Sequence, residues 1–273
     1  MRTKPETKRV LLTVKACPET SKTYGATLCT AGITEEGEWI RLYPVPFSLM
    51  MQETIPRYSW IEVECFQDSE HDKRKESYKI VQDTLRVIEN PKKDSKGKVD
   101  WEYRNRMILP LVSKSMQELI TKTKTDNTSL GLIKPVEVRQ FYLDTSDEKE
   151  IDYSSDMQML LFGEKAMPIL TKIPHYSYDF KCAACVTGNC VSKGWHSNVC
   201  LDWEMGASLV KWKEKNPDKY EKMMQEKFFD FITKRDLYFF MGTHHIYNTW
   251  MIIGLYYPPK SSRPEKNLNE FFS

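Results

Sequence analysis

The sequence contains no apolar run approaching the ~20 residues that cross a bilayer, and its first stretch, Met1-Arg-Thr-Lys-Pro-Glu-Thr-Lys-Arg9, has no apolar core of a secretory signal. A soluble, cytoplasmic protein with no membrane partner is expected. No charge sign dominates, with Lys+Arg 40 against Asp+Glu 38. A polyanion would therefore have to be met by a local patch, because the net field is too weak to attract it. Glycine is scarce, at 11 residues, and Gly25, Gly32 and Gly37 are spread among strand-like segments. No glycine-rich turn precedes a helix, which excludes the common phosphate-cradling loop of nucleotide-binding folds. Internal repeats are absent too.

Cysteine is plentiful and clustered. Of 7 cysteines, Cys182, Cys185, Cys190 and Cys200 share one stretch with His196. An odd count gathered around a histidine fits a reducing compartment and a metal better than a disulfide framework, and no disulfides are expected. The Cys-x-x-Cys turn offers two thiolates from one bend, and thiolates with an imidazole suit a tetrahedral Zn2+. Five candidates compete for four places. Cys200 sits in the apolar run Val199-Cys200-Leu201 and reads as a small core residue, which leaves Cys182, Cys185, Cys190 and His196 as the preferred ligands. Cys200 or a histidine of the His244-His245 pair remains a rival for the fourth place. Four protein ligands close the coordination shell, so such a zinc braces a loop and performs no catalysis by itself. Gly188 and Gly194 stand where this loop must bend tightly.

Strand signals dominate the first part of the chain. Arg9–Lys15, Thr27–Ile33, Glu38–Tyr43 and Trp60–Phe66 read as strands, with a turn at Thr34-Glu-Glu-Gly37 and a stop at Pro44 and Pro46. Ser77–Val81 and Thr84–Ile88 continue the pattern, and Glu89–Lys98 reads as a solvated loop. Short strands with turn signals and no long helix between them predict a small Greek-key barrel or sandwich. A helix is expected from Ser115 to Lys122, capped by Ser115 and Glu118. Strand character returns at Leu132–Ile133 and Val136–Leu143. After the cysteine loop, Asp202–Lys215 and Pro217–Thr233 read as helices, the second with Tyr220, Met224, Phe228, Phe231 and Ile232 as its core stripe. Asp236–Met241 and Thr249–Tyr257 read as a buried hairpin. The expected fold class is α+β, with an OB-like β-barrel region over 1–143 and a zinc-binding α+β region over 144–273, divided at the polar stretch Asp144–Glu150; the alternative is one compact unit in which that stretch is a surface loop.

Several of these segments together resemble an uncharacterised, mainly prokaryotic family. They are Val14-Lys15 with Ser21 and Tyr24, Cys29-Thr-Ala-Gly-Ile33, Trp39–Phe47, Tyr58-Ser-Trp-Ile-Glu62, Glu76-Ser-Tyr78, Ser129-Leu130 with Lys134-Pro135, Asp202-Trp-Glu204 and Asp236–Gly242. The N-terminal part resembles the dual OB-containing domain associated with prokaryotic conflict and defence loci. That resemblance implies tandem small β-barrels, a nucleic-acid or nucleotide ligand and an antiviral setting. The family's pair of cysteines followed by a histidine maps to Cys182, Cys190 and His196, and the longer loop here adds Cys185 and Cys200.

OB barrels bind strands by combining cations with aromatic rings on which bases stack, and one segment supplies both. In a strand of period two, Trp39, Arg41 and Tyr43 share one face while Ile40 and Leu42 share the other. With Lys15, and with Phe47 and Lys22 close in sequence, these residues form the candidate face for nucleic acid, single strands being favoured because stacking needs free bases. The other reading buries Trp39 and Tyr43 under further elements and gives Arg41 an ionic partner. A different class is a metal-dependent nuclease or phosphodiesterase using Asp202, Glu204, His244 and His245. Against it, Asp202 is well placed to cap the next helix, with Glu204 favouring its first turn.

Overall fold

The computed structural model describes residues 2–21, 25–46, 55–144, 174–244 and 247–260. The first part forms strands β1 (Glu6–Lys15), β2 (Glu19–Ser21), β3 (Gly25–Thr34), β4 (Trp39–Pro46), β5 (Trp60–Phe66), β6 (Ser77–Ile80) and β7 (Arg86–Glu89). Five of them close a barrel in the order β1-β3-β4-β6-β5, because β1 pairs with both β3 and β5. Every pair in that circuit is antiparallel except β4–β6. This is the Greek-key order of an OB barrel, and the barrel expected from the strand signals is present. Val10, Leu12, Leu28, Ile40, Leu42, Ile61, Val63 and Cys65 fill its interior.

β4 runs through Pro44 and Pro46 instead of stopping there. It pairs with β6 only at Arg41 and Leu42, so beyond that point one side is an edge, where a missing N–H is tolerated.

Helix α1 (Trp101–Ile108), capped by the Asp100 carboxylate accepting from the Tyr103 N–H, leads out of the barrel. The sequence reading did not anticipate it. The second part comprises β8 (Val112–Ser113), α2 (Met116–Asp126), β9 (Leu130–Ile133), β10 (Glu137–Asp144), β11 (His175–Lys181), α3 (Ala183–Val186), β12 (His196–Cys200), α4 (Trp203–Lys215), α5 (Tyr220–Gln225), β13 (Tyr238–Thr243) and β14 (Trp250–Tyr256). Ser115 caps α2 by accepting from the Glu118 N–H, while Glu118 reaches back to the Lys114 N–H. The strands form a mixed sheet in the order β10-β11-β12-β14-β13-β9-β8, with β13 and β14 as its central hairpin. No pairing among the described residues closes this sheet. Tyr178, Phe180, Phe239, Met241 and Ile252 pack against Met205, Leu209, Met224 and Phe228 to form its core.

The expected core stripe of the last helix holds except at Phe231, which is 42% exposed. After α5 the chain winds as a π-helix over Glu226–Phe231. The wider turn displaces later side chains from the 3.6-residue stripe and turns Phe231 outward.

The barrel and the sheet share a third core, in which Val14, Ala31 and Ile33 meet Leu130, Leu132, Phe240, Ile253 and Tyr256. β1 is therefore buried on both faces, which is why it reads as a continuous apolar run. The seam is stitched by backbone as well, with Cys17 N–H donating to the Leu201 carbonyl and Lys75 N–H to the Asn127 carbonyl.

Candidate metal centre and polar seam

The metal loop leaves β11 at Lys181, turns through α3 and returns as β12. Cys182 is the N-cap of α3, Cys185 lies inside it, Cys190 follows the turn and His196 opens β12. Ligand atoms of these four residues all lie within 4.8 Å of one another. His196 Nε2 stands 3.5, 3.2 and 3.3 Å from the sulfurs of Cys182, Cys185 and Cys190, and the Cys182 and Cys185 sulfurs are 3.6 Å apart. Around a tetrahedral ion with bonds of ~2.3 Å to sulfur and ~2.0 Å to nitrogen, neighbouring donors stand roughly 3.5–3.8 Å apart. The observed separations lie within about 0.3 Å of that range, and the four residues could hold a metal ion. The Ser192 hydroxyl lies 3.5 and 3.6 Å from the Cys185 and Cys190 sulfurs, a contact that helps to orient the donors. Gly188 takes a left-handed φ of 76° as expected, but at the second bend the left-handed residue is Lys193, φ 47°, and not Gly194. Cys200 is 2% exposed and belongs to the core of the sheet. His245 lies outside the described residues, as do Lys22 and Phe47.

The face of β4 carrying Trp39, Arg41 and Tyr43 does not look outward. It packs on the second sheet: Trp39 meets Phe240 edge to face at 6.0 Å, and Arg41 is 2% exposed, donating to the Ser129 carbonyl at 2.9 Å and contacting the Cys29 sulfur at 3.0 Å. Tyr43 is half-buried in the same seam. The expectation of a solvent-facing stripe is corrected here, because alternation fixes which residues share a face but not what covers that face. Lys15 is half-buried and donates to the Ile55 carbonyl, and burial pushes its ammonium down to about 8.

Asp202 is the N-cap of α4, accepting from Glu204 and Met205 N–H through Oδ1. Its Oδ2 accepts from Leu255 N–H at 2.9 Å and from Arg57 Nη1 at 3.1 Å. Burial pushes this carboxyl up, against the pull of Arg57. Glu204 also reaches Arg57, at 3.2 Å. Asp202 and Glu204 thus converge on a guanidinium, while His244 stacks on Tyr247 and lines a different cavity. The structure does not gather them around a common ion.

A feature that the sequence reading missed runs beside α1 and the end of β14, from half-buried Tyr58, Trp101 and Arg104 to exposed Phe231 and Lys227. Arg104 lies over Tyr58 at 3.8 Å and Trp101 at 5.4 Å, Arg235 is near Trp101 at 5.5 Å and Phe231 at 5.2 Å, and Lys227 is near Phe231 at 4.9 Å and Tyr257 at 5.8 Å. Cation and ring alternate from one end of this row to the other. Arg104 Nε has no hydrogen-bond partner among the described residues, and burial pushes its guanidinium down from the ordinary arginine range. Within the sequence, the crowding of Trp101, Tyr103, Arg104 and Arg106 in one short helix was the available signal.

A family model described as Domain of unknown function (DUF8758) matches residues 6–110, and one described as Domain of unknown function (DUF8757) matches residues 112–272. No curated protein matches the chain. A solved structure described as "Structure of murine DNA binding protein bound with ds DNA" is similar over 96% of this chain and 100% of that one, with 10% identity and a TM-score of 0.32, a likeness too low to transfer a fold or a ligand. No helix among the described residues is long and apolar enough to cross a membrane.

Proposed function

The chain belongs to the family described as Domain of unknown function (DUF8757), and since that description names no activity, we propose from the molecule's own surface that it binds nucleic acid, with a zinc ion bracing the cysteine loop. The observation that carries this reading is the row Arg104, Trp101, Arg235, Phe231 and Lys227, in which cations and rings alternate. Among the described residues none of these three cations has an ion-pair partner. Rings spaced by guanidinium and ammonium groups are what a single strand needs, since bases stack on the rings while phosphates meet the charges. The OB-like barrel supports the row through α1, while the outer face of β4 is used up by the second sheet. Three thiolates and one imidazole favour zinc over harder ions. In the cytoplasm of a prokaryote, in the defence setting that the sequence resemblance implies, the ligand would be a foreign strand.

The test is binding of labelled single- and double-stranded DNA and RNA of one length across a salt series. Phe231→Ala should lose about 1–3 kcal/mol, up to roughly a hundredfold in affinity for single strands. Arg235→Ala should lower the magnitude of the salt slope by about one unit. Phe231 is 42% exposed and belongs to none of the core clusters, so its replacement spares the fold. Unchanged affinity in both variants would overturn the reading.

A further inference from the structure

The seam between barrel and sheet holds a cavity of about 40 Å3, lined by Arg41, Tyr43, Arg74, Thr243 and His244 among others. Two of its lining groups are buried and lack a hydrogen-bond partner among the described residues: Nε of Arg41, 2% exposed, and Oγ1 of Thr243, 1% exposed. Buried polar atoms are nearly always satisfied, so two unsatisfied ones on one cavity point to a missing partner. The rest of the Arg41 fork is fixed in place by the Ser129 carbonyl at 2.9 Å, the Ser129 hydroxyl at 3.4 Å and the Cys29 sulfur at 3.0 Å.

Charge identifies the partner further. Arg41 forms no ion pair among the described residues; the Glu76 carboxylate is one step removed, accepting from the Ser129 N–H and hydroxyl at 2.9 and 2.8 Å. Arg74 is paired with Asp72 at 2.6 Å and donates through Nη1 to the Thr243 carbonyl at 3.1 Å, which anchors a second guanidinium on the same wall. A water would satisfy the donors but not the buried charge. The cavity is also larger than the ~10–15 Å3 that one water needs.

We propose that this cavity binds a phosphate group, with Arg41 Nε–H and Thr243 Oγ1–H donating to its oxygens and the Asp72-paired Arg74 fixed on the same wall. A second polar cavity of about 250 Å3 shares Arg74 and Thr243 with the first. The phosphate can therefore be the free ion or the 5′ end of a strand. The site does not depend on the aromatic–cation row, because inorganic phosphate alone is the first probe.

The experiment is thermal unfolding of the full chain against inorganic phosphate, with chloride at matched ionic strength as the control. A parallel arm compares the binding of a 5′-phosphorylated oligonucleotide with its 5′-hydroxyl counterpart. Ligand that binds only the folded state raises Tm with concentration. In the parent, phosphate should raise Tm above the chloride control, or the 5′-phosphorylated strand should bind at least about tenfold more tightly than the 5′-hydroxyl one; which arm responds identifies the source. Thr243→Val, which removes an unpartnered buried hydroxyl and so leaves folding intact, should abolish the response. Absence of phosphate dependence in both arms, or an undiminished response in Thr243→Val, would overturn the proposal.

Discussion

Arg57 Nη1 lies 3.1 Å from Asp202 Oδ2, joining the barrel to the start of α4 across 145 residues of sequence, with side chains 6% and 3% exposed. Around this pair Arg57 Nε donates to the Thr13 carbonyl at 2.9 Å and Nη2 to the Leu255 carbonyl at 3.0 Å. One guanidinium thus satisfies acceptors on β1, β14 and the cap of α4. Burial would lower its pKa, yet Tyr58, Glu204 and Asp202 around it hold it above the ordinary arginine value.

Removing one partner of a buried pair leaves the other charge uncompensated, so Asp202→Ala should cost about 3–5 kcal/mol in urea unfolding, and Arg57→Met a similar amount. The double variant should lose clearly less than the sum of the two, because neither charge is then left alone. Full additivity would mean that the two residues act separately.

Metal analysis should find about one zinc per chain. Cys182→Ser and His196→Ala should each lower that content and loosen the loop between β11 and β12 in hydrogen exchange. Cys200→Ser should retain the metal, since its sulfur is core. Protein purified without chelator and lacking zinc would contradict the assignment.

Gly32 sits where an added Cβ would meet Val10 Cγ1 at 2.4 Å and the Leu11 carbonyl oxygen at 2.5 Å. Backbone cannot move aside as a side chain can, so Gly32→Ala should destabilise the barrel by about 3 kcal/mol, the upper end for overpacking. At Gly131 the neighbours are side-chain atoms of Leu119 at 2.6 and 2.7 Å. Gly131→Ala should therefore be the milder of the two in the same denaturation series.

Lys15 has its ammonium pushed down to about 8, chiefly by burial, with Arg57 adding to the effect and Glu204 opposing it. Between about pH 8 and the ordinary lysine value of ~10.4, the unfolded chain binds more protons at this site than the folded one, so stability rises with pH there. Comparing the parent with Lys15→Met from pH 7 to 11 should show this slope in the parent alone, at most about 1.4 kcal/mol per pH unit. Parallel curves would show that Lys15 does not titrate in that window.

Trp39 tests the corrected face of β4. Its indole packs edge to face on Phe240 at 6.0 Å, so Trp39→Ala should lower stability by roughly 3 kcal/mol, the low end for an aromatic truncation because the ring is only half-buried. If the variant keeps the parent's unfolding midpoint and loses only affinity for strands, Trp39 serves the ligand and not the seam.

Features that depend on neighbours along the chain were legible before any fold was in view. The Cys182 to His196 spacing placed four ligand atoms together because the loop that gathers them is short. Ser115 and Asp202 cap helices through N–H groups two or three residues away. The barrel strands were legible from their apolar runs and turns, since Ile40 and Leu42 had to point inward wherever that sheet closed. Tertiary structure alone decided what covers each face. Period two grouped Trp39, Arg41 and Tyr43, but only the arrival of β13 and β9 put Arg41 at 2% exposure against Ser129. The same holds for Arg57: nothing near it in sequence names Asp202 as its partner, because that contact exists only once the barrel and the second sheet exclude water from between them. Phe231 left its helical stripe for the surface because the chain widened into a π-helix, a change of winding that the 3.6-residue period could not register.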